Sequence, residues 1–375
     1  MNANETLPAT MLAVGRRRYG GPDAIAVVER PVPAPGAGEV LVRVATSSGN
    51  AADAFLLRGE PRLIRLSSGL ARPSSPVLGR DVAGTVAAVG EGVEGVAPGD
   101  RVHGETDGAW SEFAVLPASV VARVPRGIDL VQAAALPLPG VTALQALRLG
   151  VSGRRDAAGE ASASGGASDV PEVSAGSEAS AGPDASAAPD PFDALAGRRV
   201  LVTGASGNVG LLAVSIAAAY GADVTAAASR DRLDLVRAAG AAGVVERTHP
   251  AADWGRGYDL VVDLTAQRPV ADLVARLAPR GSLVMSTGAG GRTLGPLPRL
   301  ASTALRDLGT RRHLRVLAAK ADGDDLRALD RLVRSGRVVP VIDGVVPMAD
   351  AADAVRRFEA GASRGRIVLD ATRLG

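Results

Sequence analysis

The sequence predicts an α/β fold of two domains, in which a mostly β unit is combined with a doubly wound parallel sheet. Its 375 residues are enough for two cores at about 100–200 residues per domain. Residues 11 to about 124 form short β-type runs that glycine and proline separate. From about residue 130, apolar helical segments alternate with strands, as in a parallel sheet with crossover helices.

The mostly β unit is expected at residues 1–129. Its clearest strands are predicted at 40–45, 82–89 and 111–115, where β-branched and other apolar residues dominate. Pro98-Gly99-Asp100 predicts a turn between two of these strands. The sheet of alternating helices and strands is expected to occupy residues 130–340.

Charge and cysteine content exclude several classes of function. Lys+Arg 42 against Asp+Glu 40 leave a net charge of +2, so charge gives no reason to expect a nucleic acid or a membrane as partner. Without cysteine, the chain has no disulfide, thiolate nucleophile or cysteine-ligated metal.

No apolar run reaches the ~18 residues of a membrane span, and the N-terminus lacks a signal-peptide pattern. A cytoplasmic location is therefore expected.

Residues 152–191 differ in composition from the rest of the chain. They are almost entirely Ala, Gly, Ser, Pro, Asp and Glu, with seven acidic residues against two arginines. Such a segment buries too little apolar surface to offset the entropy lost on ordering. We predict a disordered acidic insertion within the second domain.

A glycine-rich loop follows the first strand of the second domain. An apolar strand at 199–203 leads into the loop, and an apolar helix at 211–220 follows it. In this context glycine permits the sharp turn, and the helix N-terminus presents N–H groups to a pyrophosphate. The sequence thus predicts a Rossmann dinucleotide site formed by Gly204, Ser206, Gly207, Asn208, Val209 and Gly210.

The residues after the next strand indicate which dinucleotide binds. This strand, at 223–228, should end beside the adenosine ribose, where an NAD site usually carries Asp or Glu. Ser229 and Arg230 stand there instead, and Arg247 follows the strand after it. A guanidinium offers a charge-assisted fork to phosphate oxygens, so these residues predict NADP(H) as cofactor.

Several further motifs appear in a fixed order along the chain. They are Asn50-Ala-Ala-Asp53 with Arg58-Gly59, Leu78-Gly-Arg-Asp-Val-Ala-Gly84, Pro98-Gly-Asp-Arg-Val102, Gly108-Ala-Trp-Ser-Glu-Phe-Ala114, Ala133-Ala-Ala-Leu-Pro and the terminal Arg364-Gly-Arg-Ile-Val-Leu369. In this order they resemble the zinc-independent, quinone-oxidoreductase-like branch of the medium-chain dehydrogenase/reductase superfamily. The resemblance covers nearly the whole chain outside the insertion.

The resemblance implies a GroES-like β-barrel substrate domain built from residues 1–129 and completed by 341–375, with the Rossmann domain inserted between them. It implies that Asn50 and Asp53 are catalytic residues at the nicotinamide end. It also implies cofactor contacts from Thr142, Thr265, Thr287, Gly288 and Arg366, of which Arg366 stands where the family commonly has lysine.

No metal site is expected. The zinc-dependent branch carries cysteine where Asn50 stands, and Gly-His-Glu where Gly79-Arg80-Asp81 stands. His103 and the other two histidines lie in separate segments and do not replace these ligands.

Other candidate groups are expected to be structural. Gly361-Ala-Ser363-Arg-Gly365 matches a nucleophile-elbow pattern, but no histidine follows it. His103 and Tyr19 are possible proton donors for which packing roles are favoured, and Asp53 is expected to pair with Arg58. The sequence identifies no general acid.

The sequence predicts an NADPH-dependent oxidoreductase that transfers hydride to a quinone or an α,β-unsaturated carbonyl, a small-molecule substrate, without zinc. An NADP-dependent alcohol or carbonyl dehydrogenase and a low-turnover nucleotide-binding scaffold or sensor remain open as alternatives. The run at 313–318 predicts the last strand of the parallel sheet. An exposed sheet edge tends to pair with another strand or to be covered by another element. A homodimer through the edge near Leu314 is therefore possible.

Overall fold

Two sheets organise the chain in the computed structural model, which describes residues 7–152, 190–286, 299, 303 and 312–374. A seven-stranded, mostly antiparallel sheet has the order β14-β15-β3-β4-β5-β7, and β6 pairs with β3 beside this path. Its strands are β3 (Glu39–Ser48), β4 (Asp81–Val89), β5 (Arg101–Glu105), β6 (Phe113–Pro117), β7 (Val121–Arg123), β14 (Ile342–Pro347) and β15 (Arg366–Asp370). The strand β15 therefore lies beside β3 although it comes from the C-terminal end of the chain.

A hairpin and short helices surround this sheet. The hairpin consists of β1 (Thr10–Arg16) and β2 (Ile25–Pro31). The helices are α1 (Ala51–Arg58), α2 (Arg65–Ser68), α3 (Leu130–Ala134) and, near the C-terminus, α9 (Ala351–Glu359). The predicted segments at 40–45 and 82–89 lie within β3 and β4, and the one predicted at 111–115 overlaps β6.

The second sheet has six parallel strands in the order β10-β9-β8-β11-β12-β13. They are β8 (Arg199–Thr203), β9 (Asp223–Ala228), β10 (Gly243–Glu246), β11 (Tyr258–Asp263), β12 (Leu277–Ser286) and β13 (His313–Leu317). The order reverses between β8 and β11, which is the crevice where dinucleotides bind in a Rossmann fold. The α/β fold class predicted from the sequence is confirmed.

Helices cover this sheet and form its largest core. They are α4 (Pro137–Ser152), α5 (Asn208–Ala219), α6 (Leu233–Ala238), α7 (Val270–Val274) and α8 (Gly323–Arg334). Buried side chains of α4 and α5, such as Leu147 and Ile216, pack with Val202 of β8 and Leu260 of β11 in one cluster. This packing holds the N-terminus of α5 next to the carboxyl end of β8.

Some expectations fall on residues that the structure does not describe. Residues 153–189 of the predicted insertion lie outside the described part, and so do Thr287 and Gly288. The domain boundaries at 129/130 and 340/341 stay a prediction. Within the described ranges, no helix has the length and apolar character needed to cross a membrane.

The strand β13 is the last strand of the parallel sheet in the described residues, and it pairs with β12. It spans one residue less than the predicted run at 313–318. Leu314 is buried, whereas Val316 is exposed. A homodimer through this edge stays a prediction, which light scattering of the purified protein would test.

Candidate active site

The glycine loop lies between β8 and α5, as the sequence indicates. Gly204 has a φ of +66°, and a Cβ there would lie 2.5 Å from Cγ2 of Thr265. A Cβ at Gly210 would lie 2.2 Å from the carbonyl oxygen of Gly204. Both positions therefore require glycine, because a side chain would collide with the loop or with the neighbouring strand end.

The N-terminus of α5 suits a pyrophosphate. Its N-cap is Gly207, which has no side chain to cap the first turn. Leu211 donates the first N–H of the regular helical pattern, to Gly207, so the N–H groups of Asn208, Val209 and Gly210 are not used within the helix. Backbone donors at a helix N-terminus, reached past glycine, fit an anionic diphosphate. The residues present therefore fit a dinucleotide cofactor.

A buried carboxylate at the end of β11, the strand beside β8 in the sheet, contacts the end of β8 where the loop begins. Asp263 ends β11, is almost fully buried, accepts a hydrogen bond from Thr203 Oγ1 at 2.5 Å and forms an ion pair with Arg299. The hydroxyl of Thr265 lies 3.4 Å from the same carboxylate. Thr265 thus lies beside the loop, and its contact with a cofactor stays a prediction. Sequence reasoning missed Asp263, although an acidic residue ending an apolar strand was a usable signal.

The predicted adenosine end combines the cationic residues expected from the sequence with one unexpected acid. Ser229 and Arg230 follow β9, and the N–H of Arg247 donates to the carbonyl of Ala228 at 2.7 Å. Arg230 Nε donates to Oε2 of Glu246 at 3.0 Å. The strand β9 does end without an acid, but the neighbouring strand β10 ends in Glu246. Sequence reasoning missed Glu246 because the pairing of β10 with β9 determines its position.

Asp81 is the centre of a buried network at the predicted nicotinamide end. Its carboxylate accepts hydrogen bonds from Asn50 Nδ2 at 2.8 Å, from Ser48 Oγ at 2.7 Å and from the N–H of Leu138 at 2.8 Å. Leu138 belongs to α4, so this network joins the two sheets. From the sequence, Asp81 was considered only as part of Gly79-Arg80-Asp81, where the zinc-dependent branch carries Gly-His-Glu. Its position at the start of β4, after Gly79-Arg80, was the available signal.

Arg366 completes this network from the C-terminal strand. It begins β15, is almost fully buried and pairs with Asp81 through Nη2. Its Nε and Nη1 have no hydrogen-bond partner. Burial lowers the pKa of Arg366 below its usual value, and the charge of Asp81 opposes this shift. Thr142 lies one helical turn after Leu138 and donates to the Leu138 carbonyl at 2.6 Å.

Asp53 is a buried carboxyl group in the first turn of α1, the helix that Asn50 caps. Its Oδ2 accepts the N–H of Asn50 at 2.7 Å, while Oδ1 has no partner. Burial raises the pKa of Asp53 to about 7. The expected pair with Arg58 is wrong, because Arg58 binds Glu359 of α9 through two contacts of 2.8 and 2.6 Å. Five residues along a helix turn a side chain by about 140°, which separates the two groups.

The other candidates have structural contacts. His103 is fully buried, with Nδ1 3.1 Å from the Ala133 carbonyl and Nε2 3.1 Å from Oδ2 of Asp330 on α8. Tyr19 donates to backbone carbonyls at Ser68 and Gly69. The segment containing Ser363 runs from α9 into β15, and is therefore a helix-to-strand connection rather than the strand-to-helix turn of a nucleophile elbow.

Comparisons with known proteins agree with this arrangement. Residues 36–126 match the family described as Alcohol dehydrogenase GroES-like domain, and residues 239–369 match Zinc-binding dehydrogenase. The chloroplastic quinone-oxidoreductase QR1 of Triphysaria versicolor is 26% identical, covering 96% of this chain and 98% of that protein. The chloroplastic NADPH-dependent alkenal/one oxidoreductase of Arabidopsis thaliana is 27% identical, covering 98% and 82%. The solved quinone oxidoreductase from Coxiella burnetii has a TM-score of 0.75 at 22% identity, covering 96% and 99%.

These findings define the class of protein. The chain belongs to the medium-chain dehydrogenase/reductase superfamily, with a GroES-like domain and a Rossmann-type domain. Within that superfamily it belongs to the quinone-oxidoreductase-like branch. It is accordingly an oxidoreductase with a nicotinamide cofactor.

The side chains at the predicted nicotinamide end do not fit the catalytic zinc that one family description suggests. Such a site needs three N, O or S protein ligands with an open fourth position. Here the amide nitrogen of Asn50 faces Asp81, and the guanidinium of Arg366 pairs with the same carboxylate. Arg80 pairs with Glu105 at 2.8 Å. Across the described residues, no three His, Cys, Asp or Glu side chains are grouped to hold a metal.

Proposed function

We propose that this protein is an NADPH-dependent oxidoreductase that reduces quinones or α,β-unsaturated carbonyls without a metal ion. The observation that carries the proposal is the network around Asp81. It places hydrogen-bond donors and a buried guanidinium where zinc-dependent relatives need metal ligands. The printed names of two relatives, a quinone oxidoreductase and an alkenal/one oxidoreductase, support the same substrate classes.

The adenosine end supports NADPH as the cofactor. Arg230 and Arg247 are exposed at the end of the site, and Ser229 adds a hydroxyl. Guanidinium groups bind phosphate oxygens more strongly than neutral donors do, which favours a ribose with a 2′-phosphate. One relative is named as NADPH-dependent.

The proposed reaction suits the groups that the site provides. The nicotinamide, when bound, supplies the hydride. Reduction of a conjugated acceptor leaves a negative charge that spreads into an enolate or a hydroquinone anion, so hydrogen-bond donors can stabilise it as it develops. The Asn50 amide has two N–H groups, and its contact with Asp81 uses one of them. We propose that the other binds the acceptor oxygen.

Asp53 and Asp81 act on this amide as positioning residues. Asp81 holds the side-chain nitrogen of Asn50, and Asp53 holds its backbone N–H. Both contacts lie in buried surroundings, which restricts the amide to one orientation. A donor that is already oriented needs no reorganisation during the reaction.

The test is a substrate comparison with purified protein and NADPH. Quinones and enones should turn over much faster than saturated aldehydes or ketones, and exhaustive chelation should leave the rate unchanged. Asn50→Ala should lower kcat by about a hundredfold, since removal of one oxyanion donor costs about 10²–10³ in rate. Asp353→Asn, an exposed residue of α9, serves as the matched control.

Two results would oppose the proposal. Oxidation of simple alcohols with NADP at rates equal to the best enone or quinone would favour the alcohol dehydrogenase alternative. Nucleotide binding without turnover of any acceptor would favour the scaffold or sensor alternative. The cytoplasmic location and the absence of nucleic-acid or membrane partners stay predictions, and cell fractionation would test the location.

A further inference from the structure

Glu246 places a carboxylate next to the end of β9. It is the last residue of β10, and its register partner across the parallel pair is Ala228, the last residue of β9. Neighbouring strands lie about 4.8 Å apart, and register partners point to the same face of a sheet. The acid that is absent from the end of β9 is therefore provided by the adjacent strand.

The contacts of Glu246 link it to Arg230, the residue proposed to bind the 2′-phosphate. Its Oε2 accepts a hydrogen bond from Arg230 Nε at 3.0 Å, and its Oε1 accepts one from Thr248 Oγ1 at 2.7 Å. The Nε2 of His249 lies 3.6 Å from the carboxylate. The side chain of Arg230 is 81% exposed, whereas that of Glu246 is 17% exposed. Glu246 is thus held in place, and Arg230 is free to turn.

The neighbouring arginines, Arg268 and Arg247, make contacts that differ from those of Arg230. Arg268 donates to the carbonyls of Arg247 and His249 and lies over the ring of Trp254, so its guanidinium is already engaged. Arg247 lies 3.4 Å from the Gln267 amide oxygen, a long and weak contact. Hydrogen bonds from Thr248 and Arg230 lower the pKa of Glu246. Glu246 is consequently an anion at neutral pH, beside the position proposed for the 2′-phosphate.

We propose that Glu246 sets how strongly this enzyme discriminates NADPH from NADH. The inference rests on the proposed NADPH-dependent function and adds a residue that moderates it. With NADH, the carboxylate accepts the ribose 2′-hydroxyl. With NADPH, Arg230 turns from Glu246 to the phosphate, and the carboxylate then repels that phosphate. An exposed ion pair is weak, so Arg230 can make this exchange, but the repulsion reduces the preference for NADPH.

The experiment is a set of affinity titrations with four ligands. NADPH and NADH are compared with 2′,5′-ADP and ADP, which carry the adenosine end alone. Glu246→Gln should raise the affinity for NADPH and 2′,5′-ADP about three- to tenfold and lower that for NADH and ADP about two- to fivefold. Glu246→Asp keeps the charge on a shorter side chain, so it should weaken NADH binding without improving NADPH binding. Asp353→Asn should change none of the four affinities.

The outcomes distinguish a failure of the role proposed for Glu246 from a failure of the proposed NADPH dependence. Unchanged affinities in Glu246→Gln, or a weaker affinity for NADPH, would overturn the role of Glu246 while leaving NADPH dependence intact. If the unmodified protein binds NADH as tightly as NADPH and does not bind 2′,5′-ADP, the proposed NADPH dependence itself fails. Melting temperatures of all variants should match that of the unmodified protein, because Arg230 is exposed and an ion pair with an exposed partner contributes little to stability.

Discussion

Replacement of Asp53 by Asn should remove a pH dependence of folding stability that this single carboxyl group creates. Asp53 is almost fully buried, and burial raises its pKa from 3.8 to about 7, although the N–H of Asn50 opposes the shift. Between about pH 4 and pH 7 the folded chain keeps this proton and the unfolded chain loses it. The free energy of unfolding must therefore fall as the pH rises through this window.

The size of the effect follows from the shift. Each pKa unit corresponds to about 1.36 kcal/mol, so a rise from 3.8 to about 7 costs about 4 kcal/mol at pH values above the window. Asn keeps an acceptor oxygen for the N–H of Asn50 but does not titrate. The unmodified protein should thus lose stability relative to Asp53→Asn from pH 4 to pH 7, and the difference should stay constant above about pH 8.

Denaturant unfolding at pH 4.5, 6 and 8 measures this difference directly. The control is Asp353→Asn, which removes an exposed carboxylate of α9. A difference between the unmodified protein and Asp53→Asn that is independent of pH, or that changes in the opposite direction, would refute the assignment of a buried, protonated Asp53.

Two further predictions concern the glycine loop and the network around Asp81. Gly210→Ala should abolish nucleotide binding in a titration while the protein stays folded by circular dichroism, because its Cβ would lie 2.2 Å from the Gly204 carbonyl oxygen; retained affinity would contradict this steric argument. Asp81→Asn should lower the free energy of unfolding by about 3–5 kcal/mol, since it leaves the buried Arg366 without a counter-charge. Adding Arg366→Met to Asp81→Asn should restore much of that loss in denaturant unfolding, and a double variant no more stable than the single one would oppose the explanation.

The sequence by itself determined the fold class and the position of the dinucleotide loop. Both can be predicted largely from local patterns. The positive φ of Gly204 and the clash of a Gly210 Cβ with the Gly204 carbonyl oxygen arise within the loop itself, whereas the contact of Gly204 with Thr265 depends on sheet order. The alternation of apolar helices and strands likewise predicts a parallel sheet from local patterns. Asn50 and Thr142 were indicated by the family resemblance. The structure places Asn50 against Asp81, and Thr142 bonds the carbonyl of Leu138, whose N–H binds Asp81.

The tertiary structure alone decided which charged groups meet. Asp81 pairs with Arg366 across 285 positions of sequence, Arg58 with Glu359 across 301, and His103 with Asp330 across 227. Glu246 reaches Arg230 only because β10 pairs in register with β9. Composition and spacing carry no information on such partners, because sheet order and helix packing determine which side chains come within hydrogen-bond distance. For this reason sequence analysis wrongly paired Asp53 with Arg58 and assigned no role to Asp81, the centre of the candidate site.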